Sequence, residues 1–196
     1  MLASEREKLE NRESSYVNIG ISENGEEYGI TPVFWKSTAT AFNMCRPNVY
    51  ISPNDLLDEE IMSLLQKFHV KGCYIYCAVN DYSFLNKFND IYDLTIYNGA
   101  NLKDLSFMKQ LKECKLLTLV NTNLKNLDEI ADFQNVYGWG NPRCLTLYNC
   151  EIDDINSLSN SKRYFSELII YNPKNRDERE RWKKVNASTF GYYELT

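Results

Sequence analysis

Cys73-Tyr-Ile-Tyr-Cys77, Leu94-Thr-Ile-Tyr-Asn98, Leu117-Thr-Leu-Val-Asn121, Leu145-Thr-Leu-Tyr-Asn149 and Leu168-Ile-Ile-Tyr-Asn172 carry one pattern five times. Their first residues are separated by 21, 23, 28 and 23 positions. Recurrence at such a period marks one supersecondary unit stacked on copies of itself, with a core running continuously through the stack.

The unit can be numbered from an apolar residue three places before each quoted segment, Ile91 in the copy of Leu94. Positions 4 and 6 are then apolar and two apart, which is strand spacing. Further apolar residues follow at intervals near three. After Leu94 and Ile96 come Leu102, Leu105, Met108 and Leu111; after Leu117 and Leu119 come Leu124, Leu127, Ile130 and Phe133. That interval predicts a 3₁₀ or α-helical return, so each unit is one strand and one helical return. A degenerate earlier copy is expected at Val49 and Ile51. There Ser52-Pro53-Asn54-Asp55 signals a helix start before an apolar face of Leu56, Leu57, Ile61, Leu64, Leu65 and Phe68.

These residues resemble the leucine-rich-repeat family, whose unit reads L-x-x-L-x-L-x-x-N/C-x-L. The closest variety is the internalin-like or short cytoplasmic type, here with repeats of 21–28 residues over about residues 70–172. One departure is visible. Asn98, Asn121, Asn149 and Asn172 sit two places after the second strand anchor, whereas the family's asparagine sits three places after; that place holds Gly99, Thr122, Cys150 and Pro173. The resemblance implies an α/β solenoid with about six parallel strands on a concave face and a binding function without catalysis.

Ends and composition complete the expected layout. Residues 1–46 read as a charged N-terminal helix followed by a β-hairpin cap, with Tyr16–Ile21 turning at Asn24-Gly25 into a second strand over 28–35. Residues 47–173 form the solenoid, and residues 174–196 a helical C-terminal cap around Trp182, to which 189–194 adds a final strand; all three parts belong to one structural domain. The net charge of −5 includes −6 on residues 16–173, which argues against nucleic acid because phosphate recognition needs clustered Lys and Arg. The basic cluster Arg176, Arg179, Arg181, Lys183 and Lys184 is interleaved with acids and reads as a solvated helix face. No apolar run approaches the roughly 20 residues of a membrane span. Without an apolar leader, and with six cysteines that show no paired framework, the chain is expected to be cytoplasmic with reduced thiols.

Chemistry has little to stand on. His69 is the single histidine, and no nucleophile, phosphate-loop, dinucleotide or metalloprotease pattern occurs. Cys73-x3-Cys77 lacks the second ligand pair that zinc needs, and Glu151, Asp153 and Asp154 lack a calcium loop's glycine and alternation. The expectation is no enzyme, no cofactor and no metal. A surface is better supported. Positions 5 and 7 point away from the core, and they hold Tyr74, Thr95, Thr118, Thr146 and Ile169, then Tyr76, Tyr97, Val120, Tyr148 and Tyr171. Tyrosine is enriched among residues that dominate interface energy, yet tyrosine and threonine also simply favour strands, so two readings stand. The long repeat adds Val136-Tyr-Gly-Trp-Gly-Asn-Pro-Arg143, where Trp139 serves either as a partner anchor or as a plug. The expected partner is a protein bound on the concave tyrosine face by a monomer or weak dimer. Two alternatives accompany it: a bacterial immunity or inhibitor protein neutralising a toxin or enzyme, and a carbohydrate-binding or carbohydrate-active parallel β-helix without helical returns.

Overall fold

The computed structural model describes residues 1–28, 47–99, 101–111, 113–131, 142–161, 163–173 and 179–194. It is a mixed α/β structure with a large parallel sheet and few, short helices. The strands are β1 (Tyr16–Ile21), β2 (Val49–Ile51), β3 (His69–Ile75), β4 (Asp93–Tyr97), β5 (Leu116–Val120), β6 (Asn123–Asn126), β7 (Cys144–Tyr148), β8 (Glu151–Asp154), β9 (Tyr164–Tyr171) and β10 (Asn186–Tyr193). Eight of them form one sheet in the order β10-β9-β7-β5-β4-β3-β1-β2, and β6 pairs with β8 in a small second sheet.

The recurring segments lie side by side in register. Position 4 forms a row of Val49, Ile19, Cys73, Leu94, Leu117, Leu145, Leu168 and Phe190, and position 6 a row of Ile51, Ile21, Ile75, Ile96, Leu119, Leu147, Ile170 and Tyr192. All but the two β10 members are buried. Burying each such aliphatic side chain stabilises by roughly 1.5–3 kcal/mol, so any one-residue slip of register would turn both rows to the wrong face.

Helical segments join the strands and cover the core side: 3₁₀ turns over Pro53–Leu57, Ser83–Lys87 and Ser106–Lys109, and helices α2 (Glu59–Leu65), α3 (Asp128–Ala131), α4 (Asn156–Asn160) and α5 (Arg179–Trp182). A side chain starts most of them. Asp81, Asp104, Asn126 and Asp154 each accept a hydrogen bond from the backbone N–H two residues on, at 2.8, 2.9, 3.3 and 2.7 Å. This local bond offers the backbone a turn in place of a continued strand.

Four expectations change. Among the described residues the sheet has eight strands rather than about six, because Ile19 and Ile21 of β1 and Phe190 and Tyr192 of β10 supply the same inward rows as the repeats. The Val49 strand is not the neighbour of β3; β1 lies between them, parallel to both. With both edges occupied, β1 has no side for a hairpin partner, and the returning strand expected over 28–35 falls largely outside the described residues. The continuous amphipathic helix after Ser52 is broken at Asp58, whose carboxylate caps α2 by accepting from the Glu60 and Ile61 N–H groups at 2.9 and 3.1 Å. Leu57 is thereby left 85% exposed rather than packed. At the C-terminus Trp182 is buried, and the final strand expected over 189–194 is present as the longer β10 at the edge of the sheet.

The first helix, α1 (Ala3–Glu10), is docked rather than frayed. Leu9 enters the core, and the buried Glu5 carboxylate accepts the Tyr50 backbone N–H at 2.7 Å, closing part of the β2 edge. Arg163 is a further buried polar side chain, stacked over Phe165 at 4.5 Å and donating to the Pro142 carbonyl at 2.7 Å and to that of Ile130. Burial brings its guanidinium down to about 9.

Candidate recognition face

On the side of the sheet away from the helices, positions 5 and 7 form a second apolar cluster of Tyr50, Tyr74, Tyr76, Tyr97 and Val120, with Tyr148 packed against it. Tyr76 and Tyr97 stack with centroids 5.2 Å apart, and Tyr28 covers Tyr76 from the other side at 4.8 Å. Past Val120 the column resumes: Tyr148 meets Tyr171 at 5.9 Å, and Tyr171 stacks on Tyr193 at 4.8 Å. The neighbouring position-5 row contains Thr95, Thr118, Thr146 and Ile169 in register.

An asparagine ladder one residue further on sets the spacing of these rings. Asn98, Asn121, Asn149 and Asn172 all adopt positive φ, from 43° to 52°. Asparagine tolerates this left-handed conformation better than most residues. Each turns its backbone N–H onto the position-7 carbonyl of the next strand, at 2.9 Å from Asn98 to Val120, 2.9 Å from Asn121 to Tyr148 and 3.0 Å from Asn149 to Tyr171. The side chains continue the chain: Asn121 Nδ2 donates to Asn98 Oδ1 at 2.8 Å, Asn149 Nδ2 to Asn121 Oδ1 at 3.0 Å, and Asn172 Nδ2 to Asn149 Oδ1. The one-place offset from the leucine-rich-repeat pattern therefore has a use of its own. The following position takes the inward role, with Thr122 Oγ1 donating to the Val120 carbonyl at 3.2 Å and Cys150 Sγ to the Leu119 carbonyl at 3.3 Å.

The face divides by accessibility. Tyr74, Tyr76, Thr95, Tyr97 and Val120 are buried, while Thr118, Thr146, Tyr148 and Tyr171 are half-buried. Tyr193 is 49% exposed. Tyr50 and Tyr193 belong to this surface although repeat counting from the five segments does not include them. Their signal is present: Tyr50 lies between Val49 and Ile51, and Tyr193 follows Tyr192 by one, as Tyr171 follows Ile170. Trp139 and its loop as far as residue 141 lie outside the described residues.

Electrostatically the face is neutral to acidic. Its outward strand positions include no Lys or Arg, and its two acids are Asp93 and Glu167. Burial raises the Asp93 carboxyl to about 6, partly offset by the hydrogen bond it accepts from the Tyr74 hydroxyl at 2.9 Å. Burial also raises Glu167, pushes the Tyr97 phenol up to about 12 and moves Tyr76 and Tyr171 upward. The rings are therefore neutral hydroxyl donors near pH 7.

The remaining candidates do not converge. His69 opens β3, exposed, with Nδ1 against Asp90 and its ring 5.5 Å from that of Tyr16. Among the described residues no three His, Cys, Asp or Glu side chains come together as a metal site. Cys73, Cys77, Cys114, Cys144 and Cys150 are free thiols, with Cys73 and Cys114 raised by burial. Asp154 starts a turn and pairs with Arg181 at 3.5 Å. Among the described residues no helix is long and apolar enough to cross a membrane. No protein-family model, curated protein or solved structure matches the chain.

Proposed function

We propose that this chain is a short leucine-rich-repeat-like solenoid acting as a non-catalytic recognition module, which binds a protein partner through its tyrosine-lined sheet face. The observation that carries this reading is the column of tyrosines stacked in register on a face whose described outward strand positions hold no Lys or Arg. Tyrosine presents a large contact area and a hydroxyl while freezing few torsions. The buried group Tyr50, Tyr74, Tyr76 and Tyr97 forms a rigid base, and contact falls on the accessible half: Thr118, Thr146, Tyr148, Tyr171 and Tyr193. The absence of Lys and Arg at the described outward strand positions favours a protein over a nucleic acid. The buried free thiols favour a reducing compartment such as the cytoplasm. Neutralisation of a toxin or enzyme is the special case in which the captured partner loses activity. The helical segments between strands count against the carbohydrate-active β-helix, which expects none.

Affinity capture from the source cell, with wild type beside a Tyr148→Ala/Tyr171→Ala variant of unchanged circular dichroism, tests the reading. A loss of partner affinity by about 2 kcal/mol or more, on the order of 30-fold, is expected. Equal retention would assign the column to strand stabilisation alone.

A further inference from the structure

The two ends of the eight-stranded sheet are finished differently. At one end β2 is only three residues long, and α1 places the Glu5 carboxylate on its Tyr50 N–H. At the other end β10 runs eight residues, Asn186-Ala-Ser-Thr-Phe-Gly-Tyr-Tyr193, with no charge and no proline. Charges, prolines, short strands and covering helices are the usual means of blocking an edge. Among the described residues no strand pairs with the outer side of β10.

That side also exposes the end of the core. Phe190 and Tyr192 continue the rows of Leu168 and Ile170 yet are only partly buried, where the preceding members are fully enclosed. The Tyr193 carbonyl faces β9, since it accepts the Asn172 N–H. By the alternation of a strand, the backbone groups of Phe190 and Ser188 point outward.

We propose that the outer edge of β10 pairs antiparallel, about a two-fold axis, with β10 of a second copy of this chain. Charge selects both the occupant and the orientation. Lys183 and Lys184 precede β10 with only Val185 between, and Glu194 immediately follows it, all exposed; Lys183 pairs with Glu180 at 2.6 Å, which leaves Lys184 as the lysine for Glu194 to meet. Antiparallel pairing sets each copy's Glu194 beside the other copy's Lys184; parallel pairing would set like charges together. The uncharged strand brings no repulsion of its own when laid against itself. An isologous contact of this kind closes at two copies. It covers the ends of both cores and does not depend on what binds the tyrosine face.

Sedimentation of the full chain over a concentration series tests the pairing, with an expected limiting mass of twice 22.9 kDa. Ser188→Pro removes an outward N–H and spares the backbone bonds to β9, and Ser188→Ala, which loses only the hydroxyl contact to Tyr164 of β9, is its control; a monomer with unchanged circular dichroism is expected for Ser188→Pro and a dimer for Ser188→Ala. At low ionic strength Glu194→Lys should weaken association at least fivefold, and the reciprocal Glu194→Lys/Lys184→Glu pair should restore it. A monomer at the highest soluble concentration, an assembly larger than two, a folded Ser188→Pro dimer, or a charge reversal without rescue would each overturn the proposal. Should Ser188→Pro fail to fold, the charge exchange alone decides.

Discussion

Two residues show how much depends on single side chains here. Asn121 holds φ at 52° and exchanges side-chain hydrogen bonds with Asn98 and Asn149. Replacing it with alanine imposes a left-handed backbone that costs about 1–2 kcal/mol and cuts the ladder at its centre. Asn121→Gly keeps the backbone conformation, so urea unfolding should rank wild type above Gly and Gly above Ala. The Asp93 carboxyl is raised from 3.8 to about 6 by burial. Because the folded group titrates higher than the unfolded one, it favours folding while protonated, and that contribution disappears as pH rises from about 4 to about 6. Asp93→Asn keeps an acceptor for Tyr74 and has no charge to bury. It should flatten stability against pH over that window and add about 1–3 kcal/mol at pH 7. An unchanged slope in the variant would assign the pH dependence to other groups.

At the scale of elements, the close approaches are made by rings over glycines. A Cβ on Gly20 of β1 would lie 2.6 Å from the Tyr50 ring and 3.0 Å from Pro47, and one on Gly191 of β10 2.6 Å from the Tyr193 ring. Tyr50 is enclosed, so Gly20→Ala should cost about 1–3 kcal/mol in chemical unfolding; at Gly191 the Tyr193 ring is half open but the buried Ile169 would stand 2.9 Å from the new Cβ, so Gly191→Ala should destabilise as well. A similar contrast applies to α1. Glu5→Ala leaves the Tyr50 amide without its acceptor, and a loss of about 1–3 kcal/mol with faster exchange of that amide is expected; Glu5→Gln should recover most of it. These elements also mark where the sequence was legible. Leucines and isoleucines two apart at a steady interval identify a strand wherever it ends up, and β3, β4, β5, β7 and β9 were readable for that reason. Tyr16–Ile21 alternates equally well for a hairpin or for an inserted sheet strand, and Asn24-Gly25 suggested the former. Only the pairing of both its edges decides the matter. Nor can alternation report cover: it placed the tyrosines on the outward side but not the burial of Tyr74, Tyr76 and Tyr97. No periodicity announces that Glu5, in a helix of charged residues, accepts from a strand.

Across the whole molecule, each sheet strand pairs only with its immediate neighbours. Opening then starts where one neighbour is missing. Among the described strands hydrogen exchange should be slowest in β3, β4, β5 and β7, faster in β9 and β1, and fastest in β10 and β2; uniform protection would show instead that the sheet opens as one unit. The strand order adds a consequence for synthesis. A chain leaving the ribosome presents Val17, Ile19 and Ile21 first, but the strands that flank them arrive only with residues 49–51 and 69–75. Growth of the sheet changes direction at this point, β2 joining one side of β1 and β3 the other. An apolar β1 waits for its two slots while the stretch after it is made, and it is a segment that a nascent-chain chaperone would shelter.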